Sequence, residues 1–306
     1  MNWRIKGIVQ KALSTAPGGS HVNDILQRTA GGLRSIDATV DSKVVDDWIV
    51  LARQLRELNV QIPHAVLVEV GTGWFPVLPL CFVLAGARTC HTFDVARHLN
   101  ARLTSRAIAR LSVHLTRIAD TAGVSIEQVQ ARYECVSGSP DVSAALARAG
   151  VRYHAPADAA RTGLADRSVD AVFSNSVLEH VRTGAIAVIL RESARIVKPD
   201  GVSLHSVNCG DHYAYFDRSS TPINYLKYSA RQWRLWNNRL LYQNRLRPID
   251  FLQLAEDAGL QVVLSRFTPK EPLLGMLPAQ GVAEQFKKYA PDQLCATSID
   301  FAGRPR

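Results

Sequence analysis

The sequence predicts an α/β protein built on a parallel, doubly wound sheet. An apolar run suited to a strand buried on both faces, Ala65 to Val68, leads through Glu69 into a glycine turn. A helix-forming stretch and a second short strand follow, and this strand ends in an acid, Asp94. Further along the chain, strand-like runs alternate with helical stretches, which is the pattern of right-handed βαβ crossovers.

The composition is that of an ordinary globular protein. Apolar residues make up 47% and charged residues 21% of the 306-residue chain, which is long enough to bury a large core. We find no apolar run as long as the ~20 residues of a transmembrane segment, and the amino terminus does not resemble a signal peptide. The five cysteines include no C-x-x-C pair, so we expect reduced thiols and a cytoplasmic protein. The net charge of +9 fits an acidic substrate or nucleic acid, although a solvated basic surface explains it more simply.

The turn Gly71-Thr72-Gly73 is the predicted centre of a ligand site. Glycine permits tight turns and close approach of the backbone, the next helix offers free N–H groups, and Asp94 can accept two ribose hydroxyls. The third glycine of the dinucleotide fingerprint is absent near Phe75 and Pro76. The turn therefore favours a ligand that has a ribose but no pyrophosphate, such as S-adenosylmethionine. The alternative is a glycine turn that binds nothing.

Residues 1–62 are predicted to form an N-terminal helical arm. Trp48, Ala52 and Leu55 fall on one face of its main helix. The arm carries no chemistry of its own, so we expect it to act as a lid or as the interface of a homodimer. Residues 63–306 form the predicted main domain.

A helical insertion, about residues 96–150, follows the second strand. It is much longer than a usual βα crossover. Ser125 and Gln128 form a predicted capping box, and Gly150 is the predicted stop of the last helix. We expect the insertion to lie over the carboxyl edge of the sheet as a wall of the acceptor site, or else to be a helical addition without a role.

Several motifs occur together in an order that is similar to one family. They are VEVGTG, Asp94, Asp158-Ala159, DAVFSNSVLEHV and the turn KPDG. Over about residues 66–207 they resemble the methyltransferase type 11 branch of the class I S-adenosylmethionine-dependent methyltransferases. The resemblance implies a Rossmann-like, seven-stranded sheet with an antiparallel final hairpin, an enzyme of this activity, and S-adenosyl-L-methionine as cofactor.

The resemblance also assigns cofactor-binding residues. These are Glu69, Gly71, Thr72, Gly73, Asp94, Asp158, Ala159 and Asn175. The first four surround the amino acid end of the cofactor, Asp94 takes the ribose, Asp158 and Ala159 meet the adenine amino group, and Asn175 lines the pocket floor. A carboxylate accepts from hydroxyls or an amine, as these roles require. Asp158 could instead simply cap a turn.

Polar residues at the exit of the fifth strand are the predicted acceptor site. His205, Asp211 and His212 cluster there in the sequence, and His180 follows the fourth strand. A histidine could remove the proton from an attacking hydroxyl or amine. Ligation of a divalent metal by His and Asp, or hydrogen bonds that only hold a loop, are the alternatives. We assign no metal site from the sequence.

The segment 229–247 interleaves arginines with tryptophans. Ser229 and Gln232 are predicted to form a capping box at the start of a helix that carries Trp233 and Trp236. Such residues can stack on RNA bases, but aromatic residues at helical spacing are more often core. We therefore predict methylation of an oxygen or nitrogen of a small-molecule acceptor rather than of nucleic acid. This acceptor is expected to be an anionic, biosynthetic or glycan-related compound. An RNA-binding methyltransferase and a catalytically silent partner subunit are the alternatives.

Overall fold

The fold is a single mixed sheet between helical layers. The computed structural model of the chain describes residues 3–15, 36–139 and 141–306. The sheet has seven strands in the order β3-β2-β1-β4-β5-β7-β6. Its strands are β1 (Val66–Val70), β2 (Thr89–Phe93), β3 (Val151–His154), β4 (Val169–Asn175), β5 (Val197–Asn208), β6 (Leu260–Arg266) and β7 (Ser298–Pro305). β7 is antiparallel to both of its neighbours, and the other pairs are parallel, so the predicted fold class and antiparallel hairpin are confirmed.

The connections between strands are mainly helical. The α-helices are α1 (Trp3–Thr15), α2 (Ile36–Ser42), α3 (Ile49–Glu57), α4 (Val77–Leu84), α5 (Ala101–Leu111), α6 (Leu115–Ala122), α7 (Ile126–Ser137), α8 (Val142–Ala149), α9 (Thr183–Ile196), α10 (Ala230–Trp233), α11 (Pro248–Asp257), α12 (Glu271–Gln280) and α13 (Pro291–Cys295). A π-helix, Lys43–Trp48, joins α2 to α3. Within the described residues, no helix has both the length and the apolar character needed to cross a membrane.

The described part of the predicted arm beyond α1 packs into the main core. Trp48 and Leu55 are fully buried beside residues of the sheet such as Phe173. The Trp48 and Phe82 ring centroids lie 5.9 Å apart, which joins the arm to α4. Residues 36–57 therefore form part of the helical layer on one face of the sheet, while residues 1, 2 and 16–35 of the arm lie outside the described residues.

The helical insertion joins the same layer. Ile108, Ile118 and Leu146 are buried in one core with the residues of α2 to α4. Ser125 accepts from the Gln128 N–H at 3.3 Å, and Gly150 ends α8 in the left-handed conformation, both as the residue types predict. The apolar side chains of this segment are buried against the helices of the layer, and none of its described residues, 96–139 and 141–150, lines either of the two cavities described below. Its role as a wall of the acceptor site stays a prediction that these cavities do not support.

An aromatic cluster joins α1 to the segment after β5. The ring of Trp3 lies 5.3 Å from that of Tyr213 and 4.9 Å from that of Trp236. The predicted long arginine–tryptophan helix is only the single turn α10, opened by the predicted Ser229 capping box. Beyond it, the Asn238 side chain accepts from the Leu240 and Leu241 N–H groups and holds a turn.

Candidate functional site

The glycine turn lies at the carboxyl edge of the sheet, where β1 stands between β2 and β4. Gly71 has a φ of +79°, and a Cβ atom built there would lie 2.6 Å from Cγ2 of Val177. Both the left-handed conformation and this close approach exclude larger residues at position 71. Gly73 also has a positive φ, +74°, but a Cβ atom there would meet no other atom within 4 Å.

Asp94 holds the turn from the end of β2. Its carboxylate accepts from the N–H groups of Thr72 at 3.2 Å and Gly73 at 3.1 Å, and from the Tyr153 hydroxyl at 3.3 Å. Burial raises the pKa of Asp94, and these donors oppose the rise. The structure thus brings Asp94 together with the glycine turn, as the sequence predicts. Its contact with a ribose stays a prediction.

Glu69 occupies the buried floor of the same turn. It is 3% exposed, and burial raises the pKa of its carboxyl group, with a smaller rise from Asp94. The ammonium group of Lys43 on the π-helix opposes this rise. Glu69 therefore links the glycine turn electrostatically to the arm.

The residues predicted for the adenine and the pocket floor lie on the adjoining strand ends. Asp158 is exposed and accepts from the Ala160 N–H at 2.9 Å, so it does cap a turn. Ala159 is buried, and Asn175 ends β4 half-buried. Their contacts with adenine and cofactor stay predictions.

Two adjoining cavities open at this edge. The larger has a volume of about 510 Å³, and its walls include Ser206 and Asn208 of β5 and the side chains of Arg218 and Lys270. The smaller, about 450 Å³, lies against α2 and the π-helix. Both are lined by Asp47, Asn175 and Ser176. The end of β4 therefore forms the common wall of a two-part site.

Lys43 and Asp47 are site residues that sequence reasoning missed. They lie one turn apart on the π-helix, and both line the smaller cavity. Burial raises the pKa of Asp47, while Lys43 and a hydrogen bond from the Asn175 side chain oppose the rise. No signal in the sequence identifies them, because a lysine and an aspartate at this spacing also occur on solvated helix faces.

His205 does not reach either cavity. It is fully buried inside β5, its ring nitrogens lie 2.8 Å from the hydroxyls of Ser174 and Ser203, and burial lowers its pKa to about 3. The prediction that His205 acts on the acceptor is therefore wrong. β5 continues to Asn208, so His205 lies within the sheet and not at its exit.

The other predicted catalytic residues separate into two places. Asp211 lines the larger cavity, is 2% exposed, and has its pKa raised to about 6 by burial. Its carboxylate also accepts from the Tyr213 N–H at 2.9 Å and from the Asn224 amide at 3.1 Å. His212 lies instead with its ring centroid 4.9 Å from that of His180, and burial lowers its pKa to about 4. Of the four, only Asp211 lines a cavity described here.

Two arginines of the arginine–aromatic segment donate hydrogen bonds to the protein itself. Arg247 is fully buried and donates to the Cys209 carbonyl at 2.9 Å and the Tyr225 hydroxyl at 2.6 Å. Arg245 donates to the Tyr225 carbonyl at 3.0 Å and lies over the ring of Trp233. These contacts hold the segment together, and they remove Arg247 from the surface that a nucleic acid would meet, while Arg245 is half-buried.

Comparison with known proteins finds a methyltransferase domain in part of the chain. A sequence profile described as a methyltransferase domain matches residues 119–204, from within α6 to within β5, and no curated protein matches the chain. Similar solved structures include an S-adenosylmethionine-dependent methyltransferase from Mesorhizobium loti, with 14% identity, a TM-score of 0.45, and coverage of 82% of this chain and 96% of that one. A geranyl diphosphate C-methyltransferase from Streptomyces coelicolor has 13% identity, a TM-score of 0.46, and coverage of 88% and 83%.

The profile match covers less than a third of the chain, and similarity to solved structures at this level adds no argument. The matched residues contain β3, β4 and the LEHV segment, and they end within β5. The strand order, with an antiparallel β7 between β5 and β6, agrees with the fold that the resemblance implies. Residues 119–204 thus match a methyltransferase domain, in a chain whose sheet has the strand order of the class that its sequence resembles.

Proposed function

We propose that this enzyme transfers the methyl group of S-adenosylmethionine to an oxygen or nitrogen of a small, anionic acceptor. One observation carries the proposal. The glycine turn, Asp94 and Asn175 lie at the same sheet edge as two adjoining cavities with a common wall. Ligands of open α/β sheets bind at this edge, where the strand order reverses. The smaller cavity then receives the methionine end of the cofactor, and the larger receives the acceptor.

Lys43 and Asp47 suit the methionine end of the cofactor. That group is a zwitterion, with one carboxylate and one ammonium group. The Lys43 ammonium and the Asp47 carboxylate offer the two opposite charges in one cavity. Charge-assisted hydrogen bonds of this kind are about twice as strong as neutral ones. The arm then completes the cofactor site with two charged side chains, which supports its predicted role as a covering element.

The larger cavity suits a small anionic acceptor. About 510 Å³ lies within the usual range for small-molecule sites, ~300–1,000 Å³. Arg218 and Lys270 supply positive charge, and Ser206 and Asn208 supply neutral hydrogen-bonding groups. Asp211 is the proposed base, because it lines the same cavity and its raised pKa of about 6 is nearer to neutrality than that of an ordinary carboxyl group.

The arrangement accounts for catalysis mainly by positioning. Holding the acceptor atom in line with the sulfonium methyl group converts an encounter of two molecules into a step within one complex. The attacking oxygen or nitrogen forms a bond to the methyl carbon as the carbon–sulfur bond breaks. The proton of the acceptor passes to Asp211, and S-adenosylhomocysteine leaves.

The alternative acceptor, RNA, has less support. Arg245 and Arg247 donate to backbone carbonyls inside the protein, although Arg231, Arg234 and Arg239 are exposed. A gel shift with RNA at increasing salt tests this alternative, since phosphate contacts give a steep log–log dependence of affinity on salt. We expect only weak, non-specific binding.

Two further proposals concern the oligomeric state and the cellular location of the protein. α1 leaves Ile5 and Ile8 58% and 62% exposed, which supports a homodimer interface through the arm. Light scattering on the wild type and on Ile5→Ser/Ile8→Ser tests it, and a monomeric wild type would contradict it.

The second proposal is a location in the cytoplasm. The cysteines are free, which fits the reducing conditions of that compartment.

The central experiment measures cofactor binding and methyl transfer separately. Calorimetry with S-adenosylmethionine should show one site in the wild type, weakened in Asp47→Asn and Lys43→Met and unchanged in Asp211→Asn. Transfer of a tritium-labelled methyl group to a panel of small carboxylic and phosphorylated acceptors should be lost in Asp211→Asn. A wild type that binds no cofactor would overturn the proposal and favour a catalytically silent partner subunit.

A further inference from the structure

A second cluster of polar side chains lies outside both cavities. Glu179 and His180 belong to the turn after β4, and His212 begins the turn after β5. Each offers one potential ligand atom, and these atoms all lie within 4.8 Å of one another. Two imidazoles and one carboxylate from separate loops thus converge on one point.

The atoms that converge there are unusually short of partners. Glu179 is 2% exposed, and no hydrogen bond of good geometry reaches its carboxylate oxygens among the described residues, although the backbone N–H groups of Glu179 and Asn208 lie near them. The Nε2 atom of His212, which is 8% exposed, has none either. Leaving a buried polar atom unsatisfied is unfavourable, so several such atoms at one point indicate a partner that the chain itself does not supply.

The third residue already has the tautomer of a ligand. Nδ1 of His180 lies 2.8 Å from the Tyr242 carbonyl oxygen. A carbonyl only accepts, so Nδ1 carries the hydrogen, and the Nε2 lone pair of the neutral ring is free to bind a metal. Metal-ligating histidines usually donate their other N–H in this way. His180 is exposed, which leaves the cluster open to ions from solvent.

One short loop braces both ligand-bearing turns. The Asn244 amide donates to the Leu178 carbonyl at 2.7 Å and to the Val181 carbonyl at 2.8 Å, which fixes the turn of Glu179 and His180. The neighbouring Gln243 accepts from the His212 N–H at 3.2 Å. The site is thus preorganised by hydrogen bonds to its backbone and not only by the ligand side chains.

We propose that Glu179, His180 and His212 bind one divalent transition-metal ion. Imidazole and carboxylate together suit Zn²⁺, Mn²⁺, Fe²⁺ or Co²⁺ better than Ca²⁺ or Mg²⁺, which prefer oxygen ligands alone. Three protein ligands leave coordination positions for water or for an oxygen of a bound molecule. The site touches the larger cavity through Tyr215, whose ring lies 5.5 Å from that of His212 and which lines that cavity. This inference does not depend on the identity of the acceptor.

Cobalt provides the probe. Chelator-treated full-length protein is titrated with Co²⁺, and the visible d–d absorbance and the bound metal are measured. We expect one ion per chain in the wild type. Glu179→Gln and His212→Gln, which keep side-chain size nearly unchanged, should weaken binding by at least the ~10–100-fold that loss of an outer-shell partner costs. His64→Asn is the matched control, because His64 is exposed, precedes β1 at the opposite edge of the sheet, and has a positive φ that asparagine tolerates.

Each outcome of the Co²⁺ titration either supports the proposed metal site or overturns it. Wild-type protein that binds no Co²⁺, or binding that survives in both cluster variants, would overturn the proposal. Binding that is lost only in His91→Ala would place the ion at the stacked His91–His154 pair instead, and this too would overturn it. Thermal unfolding of each variant without metal checks that the fold is intact. S-adenosylmethionine affinity, measured in parallel, distinguishes failure of the metal site from failure of the cofactor site.

Discussion

Replacing Gly71 by alanine should test the geometry of the cofactor turn directly. The new Cβ atom would lie 2.6 Å from Cγ2 and 2.9 Å from Cγ1 of Val177, at a φ of +79°. The left-handed conformation costs an alanine about 1–2 kcal/mol, and overpacking of this kind typically costs ~1–3 kcal/mol. We therefore expect the free energy of unfolding of Gly71→Ala to fall by about 2–5 kcal/mol.

Gly73→Ala and Val177→Ala separate these two contributions. Gly73 has nearly the same φ but no atom within 4 Å of a built Cβ, so Gly73→Ala should lose only the conformational part, about 1–2 kcal/mol. Val177→Ala removes both clashing methyl groups, so adding Gly71→Ala to that background should also cost only about 1–2 kcal/mol. Urea unfolding followed by tryptophan fluorescence measures all of these. Equal losses in the two glycine variants, or no coupling between positions 71 and 177, would refute the reasoning.

Further predictions concern the cofactor, the pH dependence and the buried arginine. Asp94→Ala should weaken S-adenosylmethionine binding by roughly 1–3 kcal/mol in calorimetry, and unchanged affinity would remove Asp94 from the site. Burial raises the folded-state pKa of Glu69 above its ordinary 4.5, so the folded state binds this proton more tightly than the unfolded state does. The free energy of unfolding should therefore fall as pH rises above 4.5, and in urea unfolding it should fall less for Glu69→Gln over the same pH range. Arg247→Met should destabilise the protein by ~3 kcal/mol or more, because it leaves buried carbonyls unpaired, whereas the exposed Arg239→Met should change stability by no more than about 0.5 kcal/mol.

The central part of the fold could be predicted because its signals are local. A buried apolar run, a glycine turn and an acid at a strand end each constrain a few neighbouring residues, and Gly71 and Asp94 do meet as expected. The position of the helical insertion could not be predicted in the same way. An apolar stripe shows that a helix buries one face, but Ile108 and Ile118 carry no signal for which surface covers them.

The acceptor side was less predictable because it depends on where strands end and where side chains point. His205 is only three positions before the end of β5 at Asn208, and that difference decides between a buried strand residue and a loop residue. His212 follows Asp211 directly, yet Asp211 lines the larger cavity while His212 lies near His180. Adjacent residues of a loop commonly point to different sites, and a loop has no periodic sequence pattern that would predict the direction of each side chain.

The π-helix of the arm has a consequence for sequence alignment and for insertions. The Ile49 N–H donates to the Val44 carbonyl, so this segment holds one residue more than an α-helix would between the same ends. Removing a single residue from Lys43–Trp48 would therefore let an ordinary α-helix span the same ends, and α2 would keep its place relative to the buried anchors Leu51 and Leu55. A deletion between Lys43 and Asp47 would instead shorten their spacing by one residue, so the two side chains would no longer face the smaller cavity together. Both the length of this segment and the residues within it therefore determine how the arm lines the smaller cavity.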